Sequence, residues 1–148
     1  MNIDVRVIDS EKELLSPCWY GNEYRQKVID RKTFYIYRLT ETGIILFVVD
    51  GLKTDPPLSP TLFEYHKDEY YKTYTIPKGI IHTHHSDHID LNHLEKIGEN
   101  LYIALERNDE IAIEKYKEFV LGKIEYAKSL RRKYNREVKK YESLLKNV

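Results

Sequence analysis

An apolar run at positions 44–49, Ile-Ile-Leu-Phe-Val-Val, constrains the fold more than any other feature of this chain. A strand without a polar face has to be covered on both sides, so the run predicts a central strand in a layered α/β domain. Residues 33–38 form a second run rich in β-branched and aromatic side chains, and the Thr-Glu-Thr-Gly at 40–43 is typical of a turn between the two. Residues 2–8 alternate polar and apolar side chains, which predicts a further strand.

Other parts of the first 108 residues give additional predictions. Residues 11–15 favour a short helix, and the prolines within residues 51–60 predict a loop that cannot join the sheet. The remaining predicted elements are strands at 62–66 and 72–76, a helix at 91–97 closed by Gly98, and a strand at 101–105.

From Asp109 onward, apolar residues recur at spacings of three and four, which predicts an amphipathic helix or a helical hairpin broken near Gly122. An uninterrupted helix would extend far beyond a small domain and would suit a coiled-coil arm or a binding partner. We therefore expect an α/β (α+β) domain at 1–108 and a helical extension at 109–148. The recurring residues are Ile113, Tyr116, Val120, Ile124, Ala127, Leu130, Tyr134, Val138, Tyr141 and Leu145.

Composition excludes several classes of protein. The 148 residues include 24 basic and 24 acidic ones, so no overall field attracts the chain to nucleic acid or to an anionic membrane. No stretch approaches the roughly 20 apolar residues that cross a bilayer, and the N-terminal residues do not resemble a secretory signal. The single cysteine, Cys18, cannot form an internal disulfide. We expect a soluble, cytoplasmic protein without a membrane partner, and the high Lys, Glu, Ile and Tyr usage is typical of thermophile proteins.

Five of the six histidines fall within residues 82–93. On a strand, His82 and His84 point to the same side, so both imidazoles can bind one ion. A nearby carboxylate can supply a third ligand while water takes the fourth position, an arrangement typical of catalytic zinc. Asp87 and Asp90 follow closely, so we predict a zinc site here; a polar loop is the alternative.

Three zinc-enzyme families carry local signatures of this kind. The metallo-β-lactamase superfamily has H-x-H-x-D-H, whereas here one residue too many precedes Asp87. Phosphoesterases of the PHP type open with H-x-H and a nearby Ser-Asp, which residues 86–87 match superficially. Both families take ligands from far downstream, where this chain has no histidine or cysteine.

The JAB/MPN (JAMM) metalloprotease family resembles the sequence better, because its ligands come from one short region. Its pattern is H-x-H-P, a loop, then S-x-x-D at the start of a helix, with a glutamate far upstream. The H-T-H at 82–84 matches the histidine pair, and the D-L at 90–91 is similar to the helix start of archaeal members. The E-T-G at 41–43 is similar to the stretch that carries the glutamate in prokaryotic members, so the resemblance covers about residues 41–105.

This resemblance implies a JAB/MPN-like, cytidine-deaminase-like mixed sheet flanked by helices, with Zn²⁺ as the cofactor. It implies that His82, His84 and Asp90 bind the metal and that Glu41 is the general base. Ser86 lies one place from the position of the family's serine, which stabilises the tetrahedral intermediate. The implied activity is cleavage of a peptide or isopeptide bond at the C-terminus of a ubiquitin-like protein.

Several departures from the family pattern leave alternatives open. His85 replaces the proline, Asp87 occupies the place of the serine, and the residues before Glu41 predict a strand where the family has a helix. The loop to the aspartate is also shorter. If the family's loop length is kept and the predicted helix at 91–97 is ignored, Glu95 falls near the position of the family's aspartate ligand. The predicted helix at 91–97 instead favours Asp90 as that ligand. A slow enzyme and a catalytically inactive scaffold both fit the pattern.

The C-terminal helical region predicts partners besides a protein substrate. It suits a homo-oligomer or a second protein. From Lys123 onward its basic residues outnumber its acidic ones, so nucleic-acid binding through phosphates is a further, less favoured prediction.

Overall fold

The computed structural model describes residues 2–15, 24–58, 63–64, 74–77, 79–80 and 94–147. Within these residues the elements are, in chain order, β1 (Ile3–Ile8), α1 (Ser10–Leu14), β2 (Lys27–Thr40), β3 (Gly43–Asp55), β4 (Phe63–Glu64), β5 (Ile76–Pro77), β6 (Glu95–Gly98), β7 (Leu101–Ala104) and α2 (Asp109–Lys146).

Five of these strands form one mixed sheet in the order β1-β3-β2-β7-β6. β3 lies between β1, with which it is parallel, and β2, with which it is antiparallel. The sequence prediction that residues 44–49 form a central strand is therefore confirmed. The mixed α/β class, the strands predicted near the N-terminus and the long C-terminal helix are confirmed as well.

The middle of the sheet is buried on both faces, and alternate residues of each strand point to opposite sides. One side, which we call the helix face, carries Tyr37, Leu39, Ile44 and Leu46 against Ala112 and Tyr116 of α2. The opposite side, which we call the far face, is covered in part by Ile76 and Ile80. The buried residues of the far face are Phe34, Ile36, Phe47, Val49, Ile76, Ile80, Ile97, Leu101 and Ile103.

Two predictions are wrong in part of their range: the loop at 51–60 and the helix at 91–97. Residues 51–55 are not a loop but the end of β3, where Gly51 pairs with Lys32 and Asp55 pairs with Lys27. The prolines begin only at position 56, so nothing in residues 51–55 prevents ladder hydrogen bonds. Of the helix predicted at 91–97, the described part is instead strand β6, which forms an antiparallel hairpin with β7.

The β6–β7 hairpin has a local cause. Its turn is Glu99-Asn100, and Asn100 adopts a positive φ of 60°, a conformation that asparagine tolerates better than most residues. The carbonyl of Asn100 accepts a hydrogen bond of 2.8 Å from the backbone of Leu39, which ties this turn to β2. Pairing with a neighbouring strand thus overrides the helical spacing of Leu94 and Ile97.

The strands predicted at 62–66 and 72–76 are confirmed only as a short antiparallel pair, Phe63–Glu64 with Ile76–Pro77. Residues 65–66 and 72–73 lie outside the described part of the chain. The short helix predicted at 11–15 is present as α1, in which the Asp9 side chain accepts a hydrogen bond from the Lys12 backbone.

α2 is a single helix of 38 residues without a break at Gly122, so the hairpin alternative is wrong. At a rise of about 1.5 Å per residue it is about 57 Å long. Asn108 caps it by accepting a hydrogen bond from the Ile111 backbone. Only its first turns pack on the sheet, and the residues from 120 onward are exposed except for the half-buried Leu130. No helix among the described residues is long and apolar enough to span a bilayer.

Candidate metal centre

Four of the five site residues predicted from the sequence, His82, His84, Ser86 and Asp90, lie outside the described residues, as does the rest of the histidine cluster. The fifth, Glu41, is described. The structure therefore shows the position of the predicted general base and the two ends of the chain segment that carries the predicted ligands. These ends are Ile80 on one side and Leu94 on the other.

Glu41 is exposed in the two-residue turn between β2 and β3, where Thr40 pairs with Gly43. The Thr40 hydroxyl donates a hydrogen bond of 2.8 Å to the Gly43 carbonyl and accepts one from the Thr42 backbone. Gly43 has a φ of +142°, which other residues rarely adopt. These local contacts define the turn, and Glu41 projects from it at the end of the sheet.

Arg38 connects this end of β2 to the chain that leads into the histidine cluster. Its Nη2 donates a hydrogen bond of 3.0 Å to the carbonyl of Ile80, and its guanidinium lies 5.0 Å from the centre of the Phe47 ring. Ile80 itself is buried in the far face. Arg38, three positions before Glu41, therefore holds the backbone at Ile80, two positions before His82.

Sequence reasoning missed Arg38. The signal is that Arg38 continues the alternation of Phe34 and Ile36, two inward-facing residues of β2, just before the turn at Glu41. A charged group on the side of a strand that faces the core requires a partner. The pattern therefore indicated a contact, although it did not identify the carbonyl of Ile80 as the acceptor.

The other end of the segment is also anchored to the sheet. Leu94 packs against the hydrophobic cluster of the helix face. Glu95 lies directly opposite Ile103 in the β6–β7 ladder, and residues directly opposite each other share a face. Glu95 is therefore on the far face, the side on which Ile80 is buried, and it is half-buried.

The strongest electrostatic perturbation among the described residues lies on the helix face and not beside Glu41. Burial raises the pKa of the Tyr37 hydroxyl, and its 2.6 Å hydrogen bond to Oδ1 of Asp109 raises it further. The pKa of Asp109 is lowered below 3.8, chiefly by its hydrogen bonds with the Arg107 guanidinium. This network fixes the start of α2, so we assign it a structural role.

Within the described ranges, no three His, Cys, Asp or Glu side chains converge on a possible metal site. That search did not include any histidine, because all six lie outside those ranges. Comparisons of the chain with protein-family models, with curated proteins and with solved structures gave no match.

Proposed function

We propose that this chain is a zinc-dependent metalloprotease of the JAB/MPN type that cleaves a peptide or isopeptide bond. In this proposal His82, His84 and Asp90 hold the metal, Glu41 is the general base, and Ser86 stabilises the tetrahedral intermediate. The JAB/MPN-like fold is part of the same proposal. The observation that supports it best is the hydrogen bond between Arg38 and the carbonyl of Ile80.

That hydrogen bond joins two short stretches of chain. Two peptide units connect Ile80 to His82, so their Cα atoms are at most about 7.6 Å apart. Three residue steps separate Arg38 from Glu41, so even a fully extended chain places their Cα atoms at most about 10 Å apart. These short chain separations on either side of the Arg38–Ile80 contact support a site in which Glu41 and the histidine pair act on one substrate.

Zinc bound by such a donor set acts as a Lewis acid and makes water a nucleophile near neutral pH. The chain's own contribution is proton transfer. Glu41 takes a proton from the attacking water and returns it to the departing amine, which is the usual work of a carboxylate general base. Its exposure at the end of the β2–β3 hairpin leaves it accessible to a protein substrate.

The structure of β6 bears on the choice of the carboxylate ligand between Asp90 and Glu95. The predicted helix at 91–97 favoured Asp90 over Glu95, and the described part of that region is a strand. Glu95 lies on the same face as Ile80, where the histidine segment begins. We retain Asp90 as the proposed ligand and treat Glu95 as its competitor.

The sheet topology supports a protein substrate. β6 is an edge strand and has no second partner among the described strands. An extended peptide can add to such an edge through backbone hydrogen bonds. β6 begins five residues after Asp90, so the C-terminal tail of a ubiquitin-like protein bound along it would run close to the proposed ligands in the chain.

The proposed catalysis is tested with a ubiquitin-like protein fused through its C-terminus to a peptide. We expect zinc-loaded wild-type protein to release the peptide and Glu41→Gln to lose at least about 100-fold in rate, the usual contribution of a general base. Zinc content should not change in Glu41→Gln.

Glu99→Gln is the matched control, because Glu99 is an exposed acid in another turn. Full activity of Glu41→Gln would exclude the role assigned to Glu41. Zinc-loaded wild-type protein that cleaves no such fusion would favour the alternative function, an inactive scaffold that binds protein or nucleic acid through α2. The length of α2 beyond the sheet favours that alternative, and salt-dependent binding of nucleic acid would support it.

A further inference from the structure

The exposed part of α2 carries an apolar stripe that the rest of the described chain does not cover. Its large apolar members expose between 37% and 75% of their surface, and they are Val120, Ile124, Tyr134, Val138, Tyr141 and Leu145. Exposed apolar surface of this extent on one helix marks an interaction site. The sequence order of the stripe identifies the kind of partner.

From residue 120 the stripe follows a heptad repeat, with alternating spacings of four and three. A repeat of this kind places its residues along one seam of a left-handed coiled coil. All positions of the repeat are apolar except Arg131, and they are exposed. They are Val120, Ile124, Ala127, Arg131, Tyr134, Val138, Tyr141 and Leu145.

We propose that two copies of this chain pair through α2 as an antiparallel two-stranded coiled coil. In the proposed register Val120 lies opposite Leu145 of the second copy. The stripe is about 38 Å long at about 1.5 Å per residue, and along its whole length it packs against the same stripe of the second copy. The other opposed pairs are Ile124 with Tyr141, Ala127 with Val138 and Arg131 with Tyr134.

Charges beside the seam select this orientation, since residues flanking the seam set partner orientation in coiled coils. In a parallel pair Lys123 would lie against Lys128 of the second copy, and Glu137 against Glu142. Such like-charge contacts are unfavourable. In the antiparallel register Lys128 meets Asn135, and the remaining flanking pairs each join one charged residue to a leucine. These pairs are Leu121 with Glu142, Lys123 with Leu144 and Leu130 with Glu137.

Arg131 occupies the centre of this dimer. Its guanidinium meets the ring of Tyr134 of the second copy, an arrangement that permits cation–π contact. A single polar residue in a seam also fixes register at a cost in stability. The other basic residues of this part of the helix, such as Arg132, Arg136 and Lys139, lie off the seam and stay in solvent.

The first test is the mass of the full chain in solution by sedimentation equilibrium. We expect twice the chain mass of 17.7 kDa. Val138→Asp should weaken the dimer more than about 30-fold, because it places a charge in the seam. Ser129→Asp adds the same charge on the outward side and should leave the dimer intact. Arg131→Leu should tighten it.

Orientation is tested by crosslinking in a Cys18→Ser background with a short thiol-specific reagent. Ile124→Cys and Tyr141→Cys should not crosslink alone, since the two copies of either residue are about 25 Å apart in the antiparallel dimer. A mixture of the two variants should crosslink, because each cysteine then lies opposite the other. Crosslinking of each variant with itself would show a parallel pair and overturn the proposal. A monomer at micromolar concentration would also overturn it and assign the stripe to a different protein.

Discussion

Tyr37 joins the sheet to α2 through one hydroxyl group. The group donates to Oδ1 of Asp109 over 2.6 Å and accepts a hydrogen bond of 2.9 Å from the Asn108 backbone. The tyrosine is completely buried. Its hydroxyl therefore satisfies a backbone donor and a carboxylate where the helix begins.

Tyr37→Phe should lower the free energy of unfolding by about 1–3 kcal/mol. The change removes a hydrogen bond to a charged acceptor and leaves the Asn108 N–H without that partner. Urea denaturation measures the effect. Tyr35→Phe is the matched control, because its hydroxyl has no hydrogen bond within the described residues, and it should change stability by less than about 0.5 kcal/mol. Equal effects of the two changes would contradict the role assigned to the Tyr37 hydroxyl.

Asp109 makes stability depend on pH at the acid end. Its pKa is lower in the folded protein than its ordinary value of 3.8, chiefly because of Arg107. The unfolded chain therefore takes up the proton first as pH falls, and the stabilisation is complete above 3.8 and lost below it. Asp109→Asn should flatten the decline of the urea midpoint below about pH 4. A decline as steep as that of the wild type would show that other acids, such as Asp30, determine it.

At the scale of elements, the end of β3 lies under residues 74–77. Leu52 and Thr75 exchange two backbone hydrogen bonds of 2.9 and 2.8 Å, and Tyr74 packs edge-on against Phe34. A Cβ atom on Gly51 would lie 2.6 Å from Cβ of Tyr74 and 2.8 Å from the Phe34 ring. Gly51 thus permits close contact between β3 and the chain that leads to Ile80.

Gly51→Ala should destabilise the protein by about 1–3 kcal/mol, because a methyl group there forces Tyr74 or Phe34 to move. Gly79→Ala is the control, since its Cβ would meet nothing within 4 Å of the described structure. Thermal unfolding of the two variants provides the comparison. A Gly51→Ala protein as stable as the wild type would mean that residues 74–77 do not pack on β3 as described.

Local sequence patterns predicted the central elements and failed where pairing decides the structure. Residues 44–49 are apolar on both faces, which only a covered central strand explains, and the spacing in α2 is long enough to identify a helical region, although it left a break near Gly122 open. Residues 94–98 have a helix-like spacing, but the ladder with β7 makes them a strand. At Gly51 the pattern suggested a loop, and only its position opposite Lys32 shows that it continues the ladder.

At the scale of the whole molecule, the segment between Ile80 and Leu94 starts in the hydrophobic cluster of the far face and ends against that of the helix face. The H-x-H spacing predicted the histidine ligands in this segment, and the JAB/MPN resemblance implied Asp90 as the third ligand and Glu41 as the general base. The sequence could not predict the Arg38 contact with Ile80, because every residue has a backbone carbonyl and the residue type at position 80 does not identify it as the acceptor.

The zinc content of untagged protein, measured by elemental analysis, tests the central claim most directly. We predict about one zinc per chain in the wild type, in the control His66→Ala and in Glu95→Gln, which tests the competing ligand, and loss of the metal in His82→Ala and Asp90→Ala. Loss in Glu95→Gln with retention in Asp90→Ala would transfer the carboxylate ligand to Glu95. Wild-type protein that holds no zinc after zinc is supplied, or that holds it equally well without His82, would contradict the account.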